Sequence, residues 1–343
     1  NKQHRYYCGI DLHARSMYVC ILNQAGETLV HQNLPAGPEP FLRAIAPFRD
    51  DLVVGVECIF TWYWLADLCQ SEGIPFVLGH ALYMKAIHGG KAKNDKIDSR
   101  KIAGLLRSGM IPQAYVYPAE MRSTRDLLRR RTYLVRKRAD LLGHIQNTNS
   151  QCNLPEFGHQ IVTQAQRAEV AERFADPCVR KSIEVDVELI DLLAKQIWNL
   201  EAFILQTANA QNRNAIRLLR TVHGIGKVLS LVIFYEIQDI HRFPTVQDFA
   251  SYSRLVKCAK ESAGKRHGSS GGKIGNAHLK WAFSEAAVLF LRANPEGLKY
   301  KQRLEKKHGK SKALSILAHK LGRAVYYMLL RQKVFDMKKF LAS

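Results

Sequence analysis

At 343 residues and 47% hydrophobic content the chain is long enough for two or three domains with cores of their own, and its formal net charge of +21 is far from neutral. A surplus of that size is most simply matched by a polyanion, which makes nucleic acid the leading partner. No apolar run reaches the roughly 18–20 residues of a membrane-spanning helix, and the basic start NKQHRYYCGI leads directly into a strand-like segment, so neither an anchor, a membrane partner nor a signal peptide is expected.

The run YYCGIDLHARSMYVCIL, from Tyr6 to Leu22, is rich in β-branched and aromatic residues and reads as strand. A turn-forming NQAGE leads from it into TLVHQNL, which completes a hairpin. PEPFLRAIAPF reads as a proline-started helix, LVVGVE as a short buried strand, and TWYWLADLCQSEG as a helix closed by Gly73. PFVLG is another strand, ALYMKAIHG a short helix, and KAKNDKIDSRKIA begins a helix running to about Arg107. Hairpin strands followed by alternating strands and helices predict an α/β sheet covered by helices, placed at residues 1–118.

Between Ala119 and about Ala210 strand signals vanish. Leu127, Leu134 and Leu141 recur every seven residues, as do Ile183, Ile190, Ile197 and Ile204, with NLPEFGHQ between the two series. The spacing predicts a coiled coil or helical hairpin over 119–210. Its first helix carries eight basic residues (Arg122, Arg125, Arg129, Arg130, Arg131, Arg136, Lys137 and Arg138) against Glu120, Asp126 and Asp140. Such a run is either a solvated face or a phosphate-binding one, and the planar fork of arginine supplies the second reading.

TANAQNRNA reads as the linker into a third, mainly helical part at 211–343. There LLRTVHGIGKVLSLVIFYEI sets Gly224-Ile225-Gly226 between two apolar helices, like a helix-hairpin-helix whose backbone amides can approach a phosphate; an ordinary packing turn is the alternative. ESAGKRHGSSGGKIGN reads as a Gly/Ser/basic loop and AHLKWAFSEAAVLFL as a helix. From Lys299 to Lys339 the tail is helical, with Leu314, Ile316, Leu317, Leu321 and Leu330 facing inward. The seven cysteines (Cys8, Cys20, Cys58, Cys69, Cys152, Cys178, Cys258) never form a C-x-x-C pair, which suggests buried thiols in a reducing cytoplasm without structural zinc.

Acids stand out in so basic a chain. Asp11 lies within an apolar strand and Glu57 ends another; a carboxylate there is costly unless it is paired or binds a cation. Asp95 and Asp98, three apart on a helix, share a face with their Cβ atoms about 5–6 Å apart. Four carboxylates suffice for two hard divalent cations, an arrangement that serves phosphodiester displacement. The alternative for the helical pair is a cap at Asn94 or Asp95, with Asp98 favoured by the helix dipole.

GIDLHARSMYVCIL, the Glu57 strand and KNDKIDSRKIA resemble the ribonuclease-H-like (RuvC-like) domain of IS110/IS1111-family transposases, relatives of Piv-type DNA invertases, with their Asp-Glu-Asp-Asp catalytic set. The likeness continues through the coiled-coil middle to GIG and ESAGKRHGSSGGKIGNAHLKWAF, which look like that family's C-terminal transposase domain. The resemblance implies that Asp11, Glu57, Asp95 and Asp98 hold Mg²⁺ in a two-metal site, with Mn²⁺ as a substitute. It also implies that a serine attacks DNA to give a covalent intermediate. Ser262 in Glu261-Ser262-Ala263-Gly264 matches best, although Ala263 stands where glycine is common; Ser269 and Ser270 are its rivals. A serine hydroxyl needs a base or a metal to act at neutral pH. Further implied are DNA partners (element ends and target), a noncoding bridge RNA as guide, and a homo-oligomer, dimer or tetramer, in a prokaryotic cytoplasm, nucleoid-associated when acting. Arg129, Arg130, Arg131, Lys265, Arg266 and Lys273 are the candidates for nucleic-acid contact.

Three other classes compete. A Holliday-junction type endonuclease would use the four acids and no serine. A sugar or acetate kinase shares the GID-like opening hairpin but needs a Gly-rich adenosine segment where this chain has coiled coil. In a non-catalytic binding protein the acids would only pair with lysines.

Overall fold

The first strand is shorter than its composition suggests. In the computed structural model, which describes residues 3–87, 94–157, 161, 164–208, 213–270 and 274–342, β1 (Tyr6–Leu12) stops at the exposed triplet His13-Ala14-Arg15 and β2 (Ser16–Asn23) returns antiparallel beside it. The His13 amide closes the turn by donating to the Ser16 carbonyl at 2.8 Å. The run expected as one strand is therefore a hairpin in itself. Strands rarely exceed about ten residues, and three consecutive solvent-seeking positions are where this one breaks. TLVHQNL becomes β3 (Thr28–Pro35), antiparallel to β2.

After α1 (Pro38–Ile45) comes β4 (Leu52–Glu57), parallel to β1; then α2 (Tyr63–Ser71), β5 (Phe76–Gly79), parallel to β4, α3 (Ala81–Ile87) and α4 (Asp95–Arg107). The strand order is β3-β2-β1-β4-β5, and these elements make up a compact unit spanning Asn1–Ala119.

Alternation along the strands separates two faces of the sheet. Cys8, Ile10, Leu12, Val54 and Val56 pack with Phe41 of α1 and Leu65 and Cys69 of α2. Tyr7 and Val53 face the other way, onto Ile102, Leu105 and Leu106 of α4. On that second face Gly9 and Gly55 are ladder partners. A Cβ on Gly9 would lie 2.2 Å from the Ala103 nitrogen and 2.4 Å from the Ser99 oxygen, and one on Gly55 2.9 Å from Leu106 Cδ1. This bare patch lets α4 lie directly on the sheet.

The second compact unit spans Glu120–Ser343. Its long helices are α5 (Ala119–Gln151) and α7 (Pro177–Ala208), with the short α6 (Gln164–Arg167) between them. Ile183, Ile190, Ile197 and Ile204 are all buried, as a heptad stripe should be. One end of the pair closes over Ile145, Ile161, Val170 and Phe174. At the other, Met121, Leu128, Ile204 and Ala208 join the core of the C-terminal helices. Those helices are α8 (Arg213–Leu219), α9 (Lys227–Ile237), α10 (Val246–Tyr252), α11 (Ala277–Phe290), α12 (Pro295–His308), α13 (Lys310–Arg331) and α14 (Met337–Ala342). Of the inward residues expected in the tail, Leu317 and Leu321 are fully buried, while Leu314, Ile316 and Leu330 are half-buried.

Gly224, between α8 and α9, has φ +88°, and a Cβ there would meet the Phe290 nitrogen at 2.5 Å. Its bareness serves packing against α11, whereas Gly226, at the N-terminus of α9, has open space around its Cβ position.

The segment read as a Gly/Ser loop contains a two-stranded hairpin, β6 (Cys258–Ser262) and β7 (Lys265–Ser270). Ala263 and Gly264 at its tip both have positive φ, 50° and 71°, the hallmark of a type I′ turn, whose twist matches that of paired strands. Polar strands without apolar alternation escaped the sequence pattern. Among the described residues no helix is long and apolar enough to cross a membrane. Cys8, Cys20 and Cys69 are buried as expected, but Cys58, Cys152 and Cys178 are exposed.

Candidate active site

Strand register brings two of the acids together. Ile10 pairs with Val56 in the parallel ladder, so Asp11 and Glu57 are on the next rung and leave the sheet at the same edge. By alternation both lie on the face that carries Gly9 and Gly55, where α4 is seated. The missing Cβ atoms thus set how closely the first turn of α4 approaches the ends of β1 and β4.

That first turn carries Asp95 and Asp98. Its N-cap is Asn94, whose side chain accepts from the Ile97 amide at 2.8 Å. Capping is thereby provided without either aspartate. Asp98 accepts from Lys101 Nζ at 3.3 Å. Asp95 approaches Asp11 through an imidazole: His13 Nε2 is 3.6 Å from Asp11 Oδ2 and 3.5 Å from Asp95 Oδ2. One donor atom from each of Asp11, His13 and Asp95 falls within 4.8 Å of the others, close enough to share a metal ion. The Asp11 side chain is only 14% exposed. Burial pushes its carboxyl above the usual range; His13 opposes the shift, and Asp95, Asp98 and Glu57 add to it by repulsion. A partly buried carboxyl with further carboxylates close by suits a hard divalent cation bound through oxygen.

Sequence reasoning did not single out His13, although its position two residues beyond Asp11 was the available signal. Nor did it foresee the glycine seat. Lys96, Ile97, Arg100 and Lys101 of α4 line a concave notch with Thr28 and His31 of β3. There His31 Nε2 donates to the Lys96 carbonyl at 2.8 Å, tying the edge strand to α4.

Ser262 belongs to the second unit. It ends β6 at the hairpin tip, paired in register with Lys265, and both residues are exposed. Lys273, together with the side chains of Arg266, Ser269 and Ser270, lies outside what the structure describes.

The three arginines expected to contact nucleic acid differ sharply. Arg129 binds Glu236 through two nitrogens, at 2.7 and 2.8 Å. Arg131 Nε donates to Glu201 at 2.7 Å. Arg130 is exposed, its guanidinium 5.1 Å from the Tyr133 ring centroid. A carboxylate thus already occupies the fork of Arg129, and another holds Arg131, which leaves Arg130 as the outward-facing member.

Similarity to known proteins agrees with this geometry. A DEDD-type transposase model of IS110 elements, described as "Transposase", matches residues 8–152, and the "Transposase IS116/IS110/IS902 family" model matches residues 216–302. The transposase for insertion sequence element IS1111A of Coxiella burnetii is 21% identical over 345 residues, covering 95% of this chain and 90% of the relative. A probable family 20 transposase of Pseudomonas aeruginosa is 24% identical over 253 residues, 70% of each chain. An α/β unit with clustered acids and a helical remainder matched in this way defines a DNA-acting enzyme of the transposase class. The chain belongs to the IS110/IS1111 family of insertion-sequence transposases.

Proposed function

We propose that the chain cuts and rejoins DNA through a metal site in its first unit and a serine in its second. The observation that carries this reading is the meeting of Asp11, His13 and Asp95 at one sheet edge, with Glu57 and Asp98 near enough to act on Asp11. The strand order, with β2 antiparallel in an otherwise parallel β1-β4-β5 core, supports a ribonuclease-H-like (RuvC-like) assignment. In it Asp11, Glu57, Asp95 and Asp98 would hold one or two Mg²⁺ ions, or Mn²⁺ in their place. The donor set fits such ions: carboxylate oxygens dominate it, and one carboxyl is held above its ordinary pKa. Bound there, a divalent cation would neutralise phosphate charge and polarise the reacting oxygens.

Around that site the protein's own groups do the rest. Asn94 fixes the start of α4, the glycine seat fixes its distance from the sheet, and Lys96 and Arg100 offer charge to phosphates flanking the cut. Ser262 Oγ would give up its proton and attack the phosphorus: an Oγ–P bond forms, a P–O bond to the neighbouring nucleotide breaks, and the leaving sugar oxygen takes up a proton, so that the step is proton-neutral overall. Exposure at a hairpin tip suits a nucleophile that must reach into a duplex. Exposed apolar residues on α7 support a homo-oligomer, a dimer or tetramer: Val185 and Leu192 stand seven apart and Leu189 and Phe203 fourteen apart, on the side away from the buried isoleucines.

The partners of this reading are DNA at element ends and target, a noncoding guide RNA and further copies of the chain, acting in a prokaryotic cytoplasm. Lys265 and Arg130 are its best-placed phosphate contacts.

Ser262→Ala tests the reading. A covalent DNA–protein adduct, trapped by denaturation and mapped by mass spectrometry, should vanish. An adduct that persists moves the nucleophile elsewhere, and unchanged cleavage without any adduct favours a nuclease that uses the acids alone.

A further inference from the structure

Glu236, in the last turn of α9, is 2% exposed. Taking a carboxylate out of water costs several kcal/mol unless charge and hydrogen bonds compensate it. Here they do: besides the two bonds from Arg129, the Asn276 amide donates to Oε2 at 2.7 Å. Burial alone would raise its pKa, but Arg129 and Asn276 outweigh it, and the carboxyl stays below the ordinary value. Neither the metal site nor the serine chemistry calls for this group. Its reason lies in what it joins.

Arg129 stands on α5. Asn276 caps α11, accepting from the amides of His278 and Leu279 at 2.9 and 3.0 Å. The Asn276 backbone nitrogen also donates to the carbonyl of Tyr252, the last residue of α10, at 2.5 Å. Just beyond, Arg254 donates through Nε to the carbonyls of Ile274 and Gly275 at 3.0 and 2.9 Å. At Gly275, φ is +91° and a Cβ would lie 2.5 Å from the Tyr252 oxygen. The chain that leaves for the β6–β7 hairpin and the chain that returns from it are thus clipped together at their base, and the clip is bolted to α5 through the ion pair between half-exposed Arg129 and buried Glu236.

We infer that Glu236, with Arg129 and Asn276, is the positioning element of the Ser262 hairpin, fixing the hairpin's base to the long helix α5. The inference rests on the proposed role of Ser262. Burial of the Glu236 carboxylate holds one end of the link in place, and the bidentate fork makes it directional, which a lysine at 129 would not reproduce. Whatever moves α5, including contact along the coiled coil or with nucleic acid, would then move the hairpin's base with it.

Asn276→Ser is the decisive variant, since serine keeps the cap of α11 but cannot supply the amide that reaches Glu236; the Arg129 pair stays intact. Arg129→Lys, which keeps the charge and loses the fork, is its companion. Three quantities are measured on the full chain: affinity for a DNA carrying the element end, the rate of covalent adduct formation at saturating DNA, and amide exchange in the 258–270 hairpin. Both variants should bind DNA within about threefold of the parent yet form adduct about 10- to 100-fold more slowly, the cost typical of a misplaced reacting group. Exchange in the hairpin should rise. Parent-like adduct rates or unchanged exchange in Asn276→Ser would overturn the inference, and so would a loss confined to DNA affinity. Should the parent form no serine adduct at all, the reading of Ser262 fails separately, and the exchange data still decide whether the triad holds the hairpin.

Discussion

Replacing Asp11 by asparagine removes one charge from a crowded edge while keeping the side chain's shape. The donor atoms of Asp11 and Asp95 fall within 4.8 Å, and at an effective dielectric of about 20 two like charges at that distance repel by roughly 3 kcal/mol. Asp95 is 53% exposed, so solvent screening reduces the figure to about 1 kcal/mol. The sign follows from the raised pKa of Asp11, in which burial is the largest cause, the attraction of His13 opposes it, and repulsion by Asp95, Asp98 and Glu57 adds to it. A carboxyl that the fold holds above its ordinary value stabilises the protein least when ionised: stability falls as pH rises from about 3.9 through the folded-state value, and the cost is present in full above that value. Asp11→Asn should therefore stabilise the metal-free first unit by about 1 kcal/mol, or about 4 °C for a domain of this size. Mg²⁺ separates the two proteins. At a hundred times its Kd a ligand adds about 2.7 kcal/mol to the native state, and that increment should appear in the parent and largely disappear in the variant. Amide exchange of peptides covering β1, with and without Mg²⁺, isolates the first unit from the second. An Asp11→Asn protein less stable than the parent without metal, or equally stabilised by Mg²⁺, would refute the crowded-acid account.

Gly9→Ala forces a Cβ to within 2.2 Å of backbone in α4; it should cost more than about 2 kcal/mol and weaken divalent-cation binding by calorimetry, because α4 and its acids must lift. Asn94→Ala removes only the cap, so a loss of about 1 kcal/mol with metal binding retained is expected from parallel unfolding and titration curves. Arg129→Ala leaves Glu236 buried without its counter-charge and should cost about 3–5 kcal/mol, whereas Arg130→Ala should leave stability unchanged and flatten the salt dependence of DNA binding by roughly 0.7–0.9 for each phosphate it no longer neutralises. Because Glu236 is held below its ordinary pKa, its contribution to the second unit is present above about pH 4.3 and disappears as pH falls through the folded-state value; unfolding followed against pH in the parent and in Glu236→Gln should converge in acid.

Period and punctuation made most of the first unit legible. LVVGVE, PFVLG and the Gly73-ended helix fall where alternation and stop signals put them. The HAR turn was missed because flanking apolar runs mask a three-residue break. Asp11 consequently sits one residue from a strand end, where its carboxylate can reach a partner helix. The buried isoleucines of α7 were legible because a heptad leaves a periodic trace. The serine hairpin was not, since its strands are held by backbone pairing and by anchors at its base that have no period. Arg129 illustrates a limit of composition: an arginine within an arginine-rich run looks like its neighbours until the fold supplies Glu236 more than a hundred residues away. In the acid site the third donor, His13, was overlooked although it stands two residues beyond Asp11, while the glycine pair that seats α4 depends on strand register, which leaves no trace in the sequence.

The claim that the acids serve chemistry rather than helix capping or charge balance is tested most directly by Mg²⁺-dependent strand exchange on the element's own ends with Asp98→Asn, compared with the parent at matched amounts of folded protein. Asn94 already caps α4, and Asp98 forms an ion pair with Lys101 one turn along the same helix, so the variant should fold with parent-like stability and yet lose exchange and covalent adduct together. Retained exchange in that folded variant would contradict the account and return the acids of α4 to an ordinary structural role.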